Sequence, residues 1–129
     1  MTLDSSALVA ILFSEPGYLD LVDAILEADA ARVGAPTLVE AGLVLAGRRG
    51  AKSGRELEDL VRELGVTVVP FGDAEWHAAT AAFQRFGRGR HKAALNFGDC
   101  LAYATAAVAG DALLYVGSDF RHTDIPAAL

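Results

Sequence analysis

Apolar and polar positions follow two different periods along this chain, and the changes of period predict alternating strands and helices. Short β-branched or apolar runs bounded by turn residues predict strands, and apolar residues three and four positions apart predict helices. We expect strands at residues 1–4, 32–35, 66–69 and 113–116. We expect helices at residues 6–13, 17–29, 37–49, 55–64, 73–86 and 97–109.

Local signals set several of these boundaries. Thr37 is expected to cap the helix at 37–49, and Glu40 three residues later would complete a capping box with it. Gly65 is expected to end the helix at 55–64, and Asp73 to cap the next helix.

Strands that alternate with helices pair in parallel through right-handed crossovers. The sequence therefore predicts an α/β fold, a three-layer α/β/α sandwich with a central parallel sheet. Because no long linker or repeat divides the chain, we expect residues 1–129 to form a single domain. Open sheets of this kind bind ligands at the carboxyl ends of their strands.

Four acidic residues stand near those carboxyl ends. Asp4 ends the first strand, Glu40 opens the helix after the second, and Asp99 lies in the first turn of the last helix. Asp119 follows the last strand. Two carboxylates at about 4 Å repel each other by about 4 kcal/mol at an effective dielectric near 20, so the cluster favours a hard divalent cation. Ser6 adds a hydroxyl that could orient a carboxylate or a water.

Each acid also has a purely structural explanation. Asp4 could cap the first helix, and Glu40 could serve only the capping box. Asp99 could interact with the helix dipole, and Asp119 could cap a short turn. The functional interpretation depends on all four falling at the same edge of the predicted sheet.

The amino-acid composition excludes several classes of protein for this chain. A hydrophobic content of 53% in 129 residues excludes a disordered chain. No apolar run approaches the length of a membrane span, and a lone cysteine, Cys100, forms no internal disulfide, which together favour a cytoplasmic protein. Trp76 and Phe83, seven residues apart on one helix, are expected in the core or facing a partner rather than stacking on bases.

The formal net charge of −6 argues against a protein that coats nucleic acid through bulk electrostatics. One segment is nevertheless basic, with Arg85, Arg88, Arg90 and Lys92 and no acidic residue between them. It could form a rim that receives phosphates or an acidic partner, or it could be a solvated loop.

Five segments of the chain, in this order, resemble the PIN domain, and in particular VapC-type toxins of bacterial toxin–antitoxin pairs. The resemblance covers residues 2–125, and its Asn-Phe-Gly-Asp-Cys block is fairly specific. The matching segments are Asp4-Ser5-Ser6-Ala7-Leu8, Glu40 after Pro36-Thr37, residues 96–104, Leu114-Tyr115-Val116-Gly117-Ser118-Asp119-Phe120, and Thr123-Asp124-Ile125.

This resemblance implies a Mg²⁺- or Mn²⁺-dependent endoribonuclease that forms homodimers and is inhibited by a cognate VapB antitoxin. It also implies that Asp4, Glu40, Asp99 and Asp119 position one or two metal ions. Many members of the family have Asn, Asp or Glu where this chain has Ser118, and because of this departure Asp124 is an alternative to Asp119 as the fourth acid.

Two rival functions remain open at this stage. A catalytically inactive PIN-like module could use the same surface only to bind a partner. A phosphotransferase with Asp4 as its nucleophile is a weaker alternative, because Ser6 stands where a second Asp is expected.

Overall fold

Hydrogen bonding in the computed structural model confirms the alternation of strands and helices. The structure describes residues 1–129, apart from the side chain of residue 51. The strands are β1 (Thr2–Leu3), β2 (Arg32–Gly34), β3 (Thr67–Val69) and β4 (Leu113–Leu114). The helices are α1 (Ser5–Leu12), α2 (Tyr18–Glu27), α3 (Ala35–Arg49), α4 (Gly54–Glu63), α5 (Asp73–Phe86) and α6 (Phe97–Ala109), with a 3₁₀ turn at Ala51–Ser53.

The strands form one parallel sheet in the order β3-β2-β1-β4. Thr2 in the central strand β1 aligns with Arg32 on one side and Leu113 on the other. The chain builds outward from β1 to β3 and then returns to add β4 on the opposite side. The topological switch point therefore lies between β1 and β4, where open α/β sheets form their ligand-binding crevice.

Two apolar cores lie on opposite faces of this sheet. Leu3, Val33 and Leu114 are fully buried in a core shared with α1, α2, α3 and α4. The neighbouring Leu113 points to the other face and is buried in a core shared with α5 and α6. Successive strand residues alternate between faces, so helices cover both sides. The predicted three-layer α/β/α sandwich with a central parallel sheet is confirmed.

The predicted start of α3 is wrong. The helix begins at Ala35, with Gly34 as its N-cap and Pro36 in the first turn, so Thr37 lies inside the helix. Proline is tolerated in the first helical turn because its missing N–H would have no partner there. The Thr37–Glu40 capping box does not form, and Glu40 is free to contact another element.

Most other boundaries differ from the sequence prediction by one or two residues, and two differences concern the caps and the site. Gly72, not Asp73, is the N-cap of α5, and its N–H donates to the Glu75 carboxylate. Strand β4 ends at Leu114, not at Val116, because the N–H of Val116 donates to the Ser6 hydroxyl (3.0 Å). This hydrogen bond joins the loop after β4 to the start of α1.

Across the part of the chain that the structure describes, no helix combines the length and apolar character that crossing a membrane requires. Cys100 is buried in the core beside α5, as expected of a small helical residue. Burial and the nearby Asp99 charge raise the pKa of its thiol to about 11, so the thiol stays protonated at neutral pH.

Candidate active site

Asp4 lies at the switch point, one residue after β1, where the chain turns directly into α1. Its backbone N–H donates to Leu114 O (2.9 Å), which ties this turn to the end of β4. Its Oδ2 accepts hydrogen bonds from the Ser6 N–H (3.0 Å) and the Ser6 hydroxyl (2.6 Å). Asp4 is therefore a helix cap, as the structural explanation predicts. Its other oxygen, Oδ1, is buried and has no hydrogen-bond partner among the described residues.

Glu40 reaches the same edge from α3. Its Oε1 accepts a hydrogen bond from the Ser5 hydroxyl (2.6 Å), 35 residues away in sequence. Its Oε2 occupies the space that a Cβ at Gly98 would fill, so only a glycine at position 98 lets the carboxylate sit against the first turn of α6. Two elements thus hold Glu40 beside Asp4.

Asp99 is held by the first turn of α6. Its Oδ2 accepts from the Asn96 N–H (3.0 Å), and its own N–H donates to Asn96 Oδ1 (2.9 Å). This reciprocal capping box fixes the start of the helix and the direction of the carboxylate. As in Asp4 and Glu40, one carboxylate oxygen accepts hydrogen bonds within the site, and the other has no hydrogen-bond partner among the described residues.

The loop after β4 carries both Asp119 and Asp124, and the two residues have different surroundings. Asp119 is exposed, and its charge contributes to raising the pKa of Asp99. Asp124 accepts from the Tyr103 hydroxyl (2.5 Å) and from Arg85 (3.0 Å). Both oxygens of Asp124 are therefore engaged by protein groups.

The charges of neighbouring carboxylates contribute to the pKa values of Asp4 and Asp99. Burial raises the pKa of Asp4, and the Glu40 charge adds to this effect against the opposing Ser6 hydrogen bonds. Burial also raises the pKa of Asp99 to about 6; the Asn96 hydrogen bond opposes the rise, and the charges of Asp119, Asp4 and Glu40 add to it. Such perturbed carboxylates in one crevice are typical of functional sites.

These residues fit a hard cation by their chemistry, although their side chains do not form a closed set of ligands. Among the described residues, no group of three or more His, Cys, Asp or Glu side chains is placed to hold a metal ion. Mg²⁺ commonly uses one or two carboxylates and keeps several waters, so it does not require such a group. A buried carboxylate oxygen without a partner, Asp4 Oδ1, is the position that a cation or its water would satisfy.

The four basic residues of the segment at 85–92 do not share one role. Arg85 lies on α5 and is paired with Asp124. Arg88, Arg90 and Lys92 are exposed on a small loop that the bridge between Gly87 and Leu95 closes. This loop immediately precedes Asn96, so it lies next to the first turn of α6.

An apolar groove of about 640 Å³ runs beside Glu40 and Gly98, between α3, α5 and α6. Trp76 is 50% exposed in its lining and Phe83 is 40% exposed in an adjoining pocket, so the expectation that they lie in the core is wrong. We call this surface the apolar face; its residues are Val39, Leu43, Trp76, Phe83, Phe97 and Leu101.

Three residues that support the acids have roles that the sequence argument did not assign. They are Ser5, which holds Glu40, Asn96, which holds Asp99, and Gly98, which accommodates Glu40. The Asn-x-x-Asp spacing at 96–99 is itself a capping-box signal and could have identified Asn96. The other two contacts join residues far apart in sequence, and no local pattern indicates them.

Known proteins have sequences similar to this chain over nearly its whole length. A model described as the PIN domain matches residues 1–126. Ribonuclease VapC36 of Mycobacterium tuberculosis is 46% identical over 127 residues, which cover 97% of this chain and 91% of that protein. Ribonuclease VapC of Mycolicibacterium smegmatis is 39% identical over 127 residues, with 98% of each chain covered.

A solved structure shares the fold. It is the crystal structure of VapBC2 from Rickettsia felis bound to a DNA fragment from their promoter, with a TM-score of 0.71. The match covers 98% of this chain and 94% of that chain at 11% sequence identity. At so low an identity the likeness shows the fold alone.

Proposed function

This chain belongs to the PIN-domain family, among its VapC ribonucleases, and from that premise we propose that it is a metal-dependent endoribonuclease acting as the toxin of a toxin–antitoxin pair. One observation carries the proposal. Asp4 and Asp99, with Glu40 and Asp119 beside them, meet at the carboxyl edge of the sheet with raised carboxylate pKa values and a buried oxygen that lacks a partner.

We propose Mg²⁺ or Mn²⁺ as the cofactor, held by Asp4 and Asp99, with Glu40 and Asp119 around it. When bound, such an ion would lower the pKa of a water and stabilise charge on the phosphate oxygens. The Ser6, Ser5 and Asn96 contacts fix three carboxylates in advance of binding. Glu40 or Asp119 would accept the proton of the attacking water.

Cleavage products provide the test of this reaction. If water attacks the phosphodiester, and not the ribose 2′-hydroxyl, the products carry 5′-phosphate and 3′-hydroxyl ends. We expect those ends when purified protein cleaves single-stranded RNA with Mg²⁺ or Mn²⁺, and no cleavage in EDTA. End-group analysis that found 2′,3′-cyclic phosphates would exclude the proposed chemistry.

We propose that a VapB-type antitoxin, a separate chain, inhibits the protein. The support is membership among the VapC ribonucleases and a fold shared with a VapBC complex. The exposed loop with Arg88, Arg90 and Lys92 would contact either the RNA phosphates or an acidic part of this antitoxin.

The double substitution Arg88→Ala with Arg90→Ala is expected to weaken binding of single-stranded RNA. Each lost phosphate contact reduces the log–log salt dependence of binding by about 0.7. Filter binding across a salt series measures this slope, and metal affinity should stay near wild type.

Arg55→Ala with Arg62→Ala is the matched control, since it removes two exposed charges on α4, across the sheet from this loop. Unchanged RNA affinity with weaker antitoxin inhibition would assign the loop to the antitoxin. If neither property changes, the loop is only solvated.

We also propose that two copies of the chain associate through the apolar face. Leu43 is 69% exposed and Phe97 is 80% exposed, and a contiguous apolar surface of this kind is unusual on a monomer. Of the residues that line the groove and the adjoining pocket, only Glu40 and Arg90 are charged. A second copy presents the same apolar surface, which suits a two-fold contact.

Leu43→Lys is therefore expected to shift the protein from dimer to monomer, measured by light scattering after size-exclusion chromatography. Leu19→Lys is the control, because Leu19 is similarly exposed (60%) but lies on α2. A monomeric wild type at micromolar concentration would contradict the homodimer.

A further inference from the structure

The loop after β4 is held at two points. At the first, the Val116 N–H donates to the Ser6 hydroxyl (3.0 Å), which itself donates to Asp4 Oδ2 (2.6 Å), so the loop that carries Asp119 starts beside the acidic crevice. At the second, Asp124 Oδ1 accepts a hydrogen bond of 2.5 Å from the Tyr103 hydroxyl. Tyr103 lies four residues after Asp99 on α6, so Tyr103 and Asp99 are on one side of the helix.

The second point is a strong contact. A hydroxyl that donates to a carboxylate forms a short, charge-assisted hydrogen bond. Tyr103 is only 7% exposed, so water competes little for its hydroxyl. Burial, together with the bond to Asp124, raises the pKa of Tyr103 to about 12, and that bond lowers the pKa of Asp124. At neutral pH the pair is therefore a phenol and a carboxylate.

Arg85 completes this contact but contributes less. Its guanidinium donates to Asp124 Oδ2 (3.0 Å), and the two side chains are 57% and 52% exposed. Ion pairs at this exposure add little to stability. Arg85 therefore supports the loop contact and is not part of the basic loop at 88–94.

The segment that carries Asp119 has other attachments besides this bond: the Val116 contact at its start and, just beyond Asp124, the hydrogen bond from the Leu113 N–H to Pro126 O (2.8 Å). Phe120 is buried and packs near Tyr115, while Asp119 beside it is exposed. Short-range hydrogen bonds give the loop its shape, including the Arg121 N–H to Ser118 O and the Thr123 N–H to Phe120 O. At the far end of the loop, the Tyr103–Asp124 hydrogen bond adds a direct side-chain link to α6.

We propose that Tyr103 and Asp124 are positioning residues that hold the loop carrying Asp119 against α6. Through this contact Asp119 is kept at the acidic crevice before any cation arrives. The inference rests on the proposed function, because it treats Asp119 as part of a cation-dependent site. It gives Asp124 a structural role in that site and not the role of a ligand.

Tyr103→Phe tests the proposal because it removes only the hydroxyl and leaves the ring. Without the bond, the loop is less ordered in the metal-free protein, and the free energy needed to order it weakens the binding of the cation. We expect the Mn²⁺ concentration for half-maximal thermal stabilisation to rise by about threefold to tenfold. In the metal-free protein, the amides of Arg121 and Thr123 should exchange with deuterium faster than in wild type. Saturating Mn²⁺ should restore slow exchange.

Tyr18→Phe, which removes the same atom on α2, is the matched control and should change neither measurement. Asp124→Asn should reproduce the effect of Tyr103→Phe. If Tyr103→Phe lowers the Tm equally with and without Mn²⁺, and the Mn²⁺ concentration for half-maximal stabilisation is unchanged, the contact contributes only to the stability of the fold. That result would overturn the proposal. So would wild-type exchange rates for Arg121 and Thr123 in metal-free Tyr103→Phe. Failure of the wild type to cleave RNA would count against the proposed function, while the exchange result still decides the role of the contact.

Discussion

Asp4→Asn is expected to reduce RNA cleavage by about a thousandfold or more, since losing several kcal/mol of transition-state stabilisation has an effect of this size. The substitution removes the charge of the carboxylate at the switch point. It also replaces an oxygen, Oδ1 or Oδ2, with an amide nitrogen that cannot bind a cation. Initial rates on a single-stranded RNA with Mg²⁺ or Mn²⁺ measure the loss.

The fold should survive this change. The amide oxygen of asparagine can still accept from the Ser6 N–H and hydroxyl, and asparagine is as good an N-cap as aspartate. Burial disfavours the Asp4 charge in the metal-free protein, so its removal should not lower the Tm. Retained stability separates a catalytic loss from misfolding.

Asp29→Asn is the matched control. Asp29 is exposed and precedes Ala30, whose carbonyl accepts from the amino terminus at the opposite end of β1. It should cleave RNA at the wild-type rate. Equal cleavage rates for Asp4→Asn and wild type would mean that the active site lies elsewhere. No cleavage by either protein would indicate a catalytically inactive module.

Millimolar Mg²⁺ or Mn²⁺ is expected to raise the Tm of the wild type relative to EDTA. A ligand that binds only the folded state adds about 2.7 kcal/mol at a hundredfold excess over its Kd, or about 10 °C for a domain of this size. In Asp99→Asn the rise should shrink, because a ligand charge is lost. The metal-free variant should match or exceed the wild type, since one repelling charge is gone.

Differential scanning calorimetry of both proteins, with and without the metal, measures these shifts. The amide oxygen of asparagine can still accept from the Asn96 N–H, so the capping box does not confound the result. A metal-induced rise in Asp99→Asn equal to that of wild type would remove Asp99 from the site.

The pH dependence of the metal-free protein checks the same charge cluster. The pKa of Asp99 is raised from 3.8 to about 6, so between these values the folded state binds more protons than the unfolded state. Stability should therefore fall as pH rises through this window, and the fall should be smaller in Asp99→Asn. Urea unfolding at about pH 4.5 and about pH 7 gives the difference.

The local order of elements and the placement of the acids could be read from the sequence. Period and turn signals gave the strand–helix series, and parallel pairing follows from that order. Asp4 and Asp119 follow strands whose carboxyl ends lie at one edge of the sheet. The predicted topology was therefore enough to place the two residues at the same edge. Helix boundaries were less certain: α3 starts two residues earlier than Thr37 because the chain leaves β2 directly into a helix.

The sequence by itself determined the fold class, the edge at which a site would form and the acids near it, because these depend on periodicity and chain order. Tertiary structure alone decided which partner each side chain takes. Ser5 meets Glu40 across 35 residues, and Arg85 meets Asp124 across 39. The Asp119 charge acts on Asp99, while Asp124, five residues later, accepts a hydrogen bond from Tyr103. Such contacts depend on how helices pack over the sheet, and no local pattern encodes that packing.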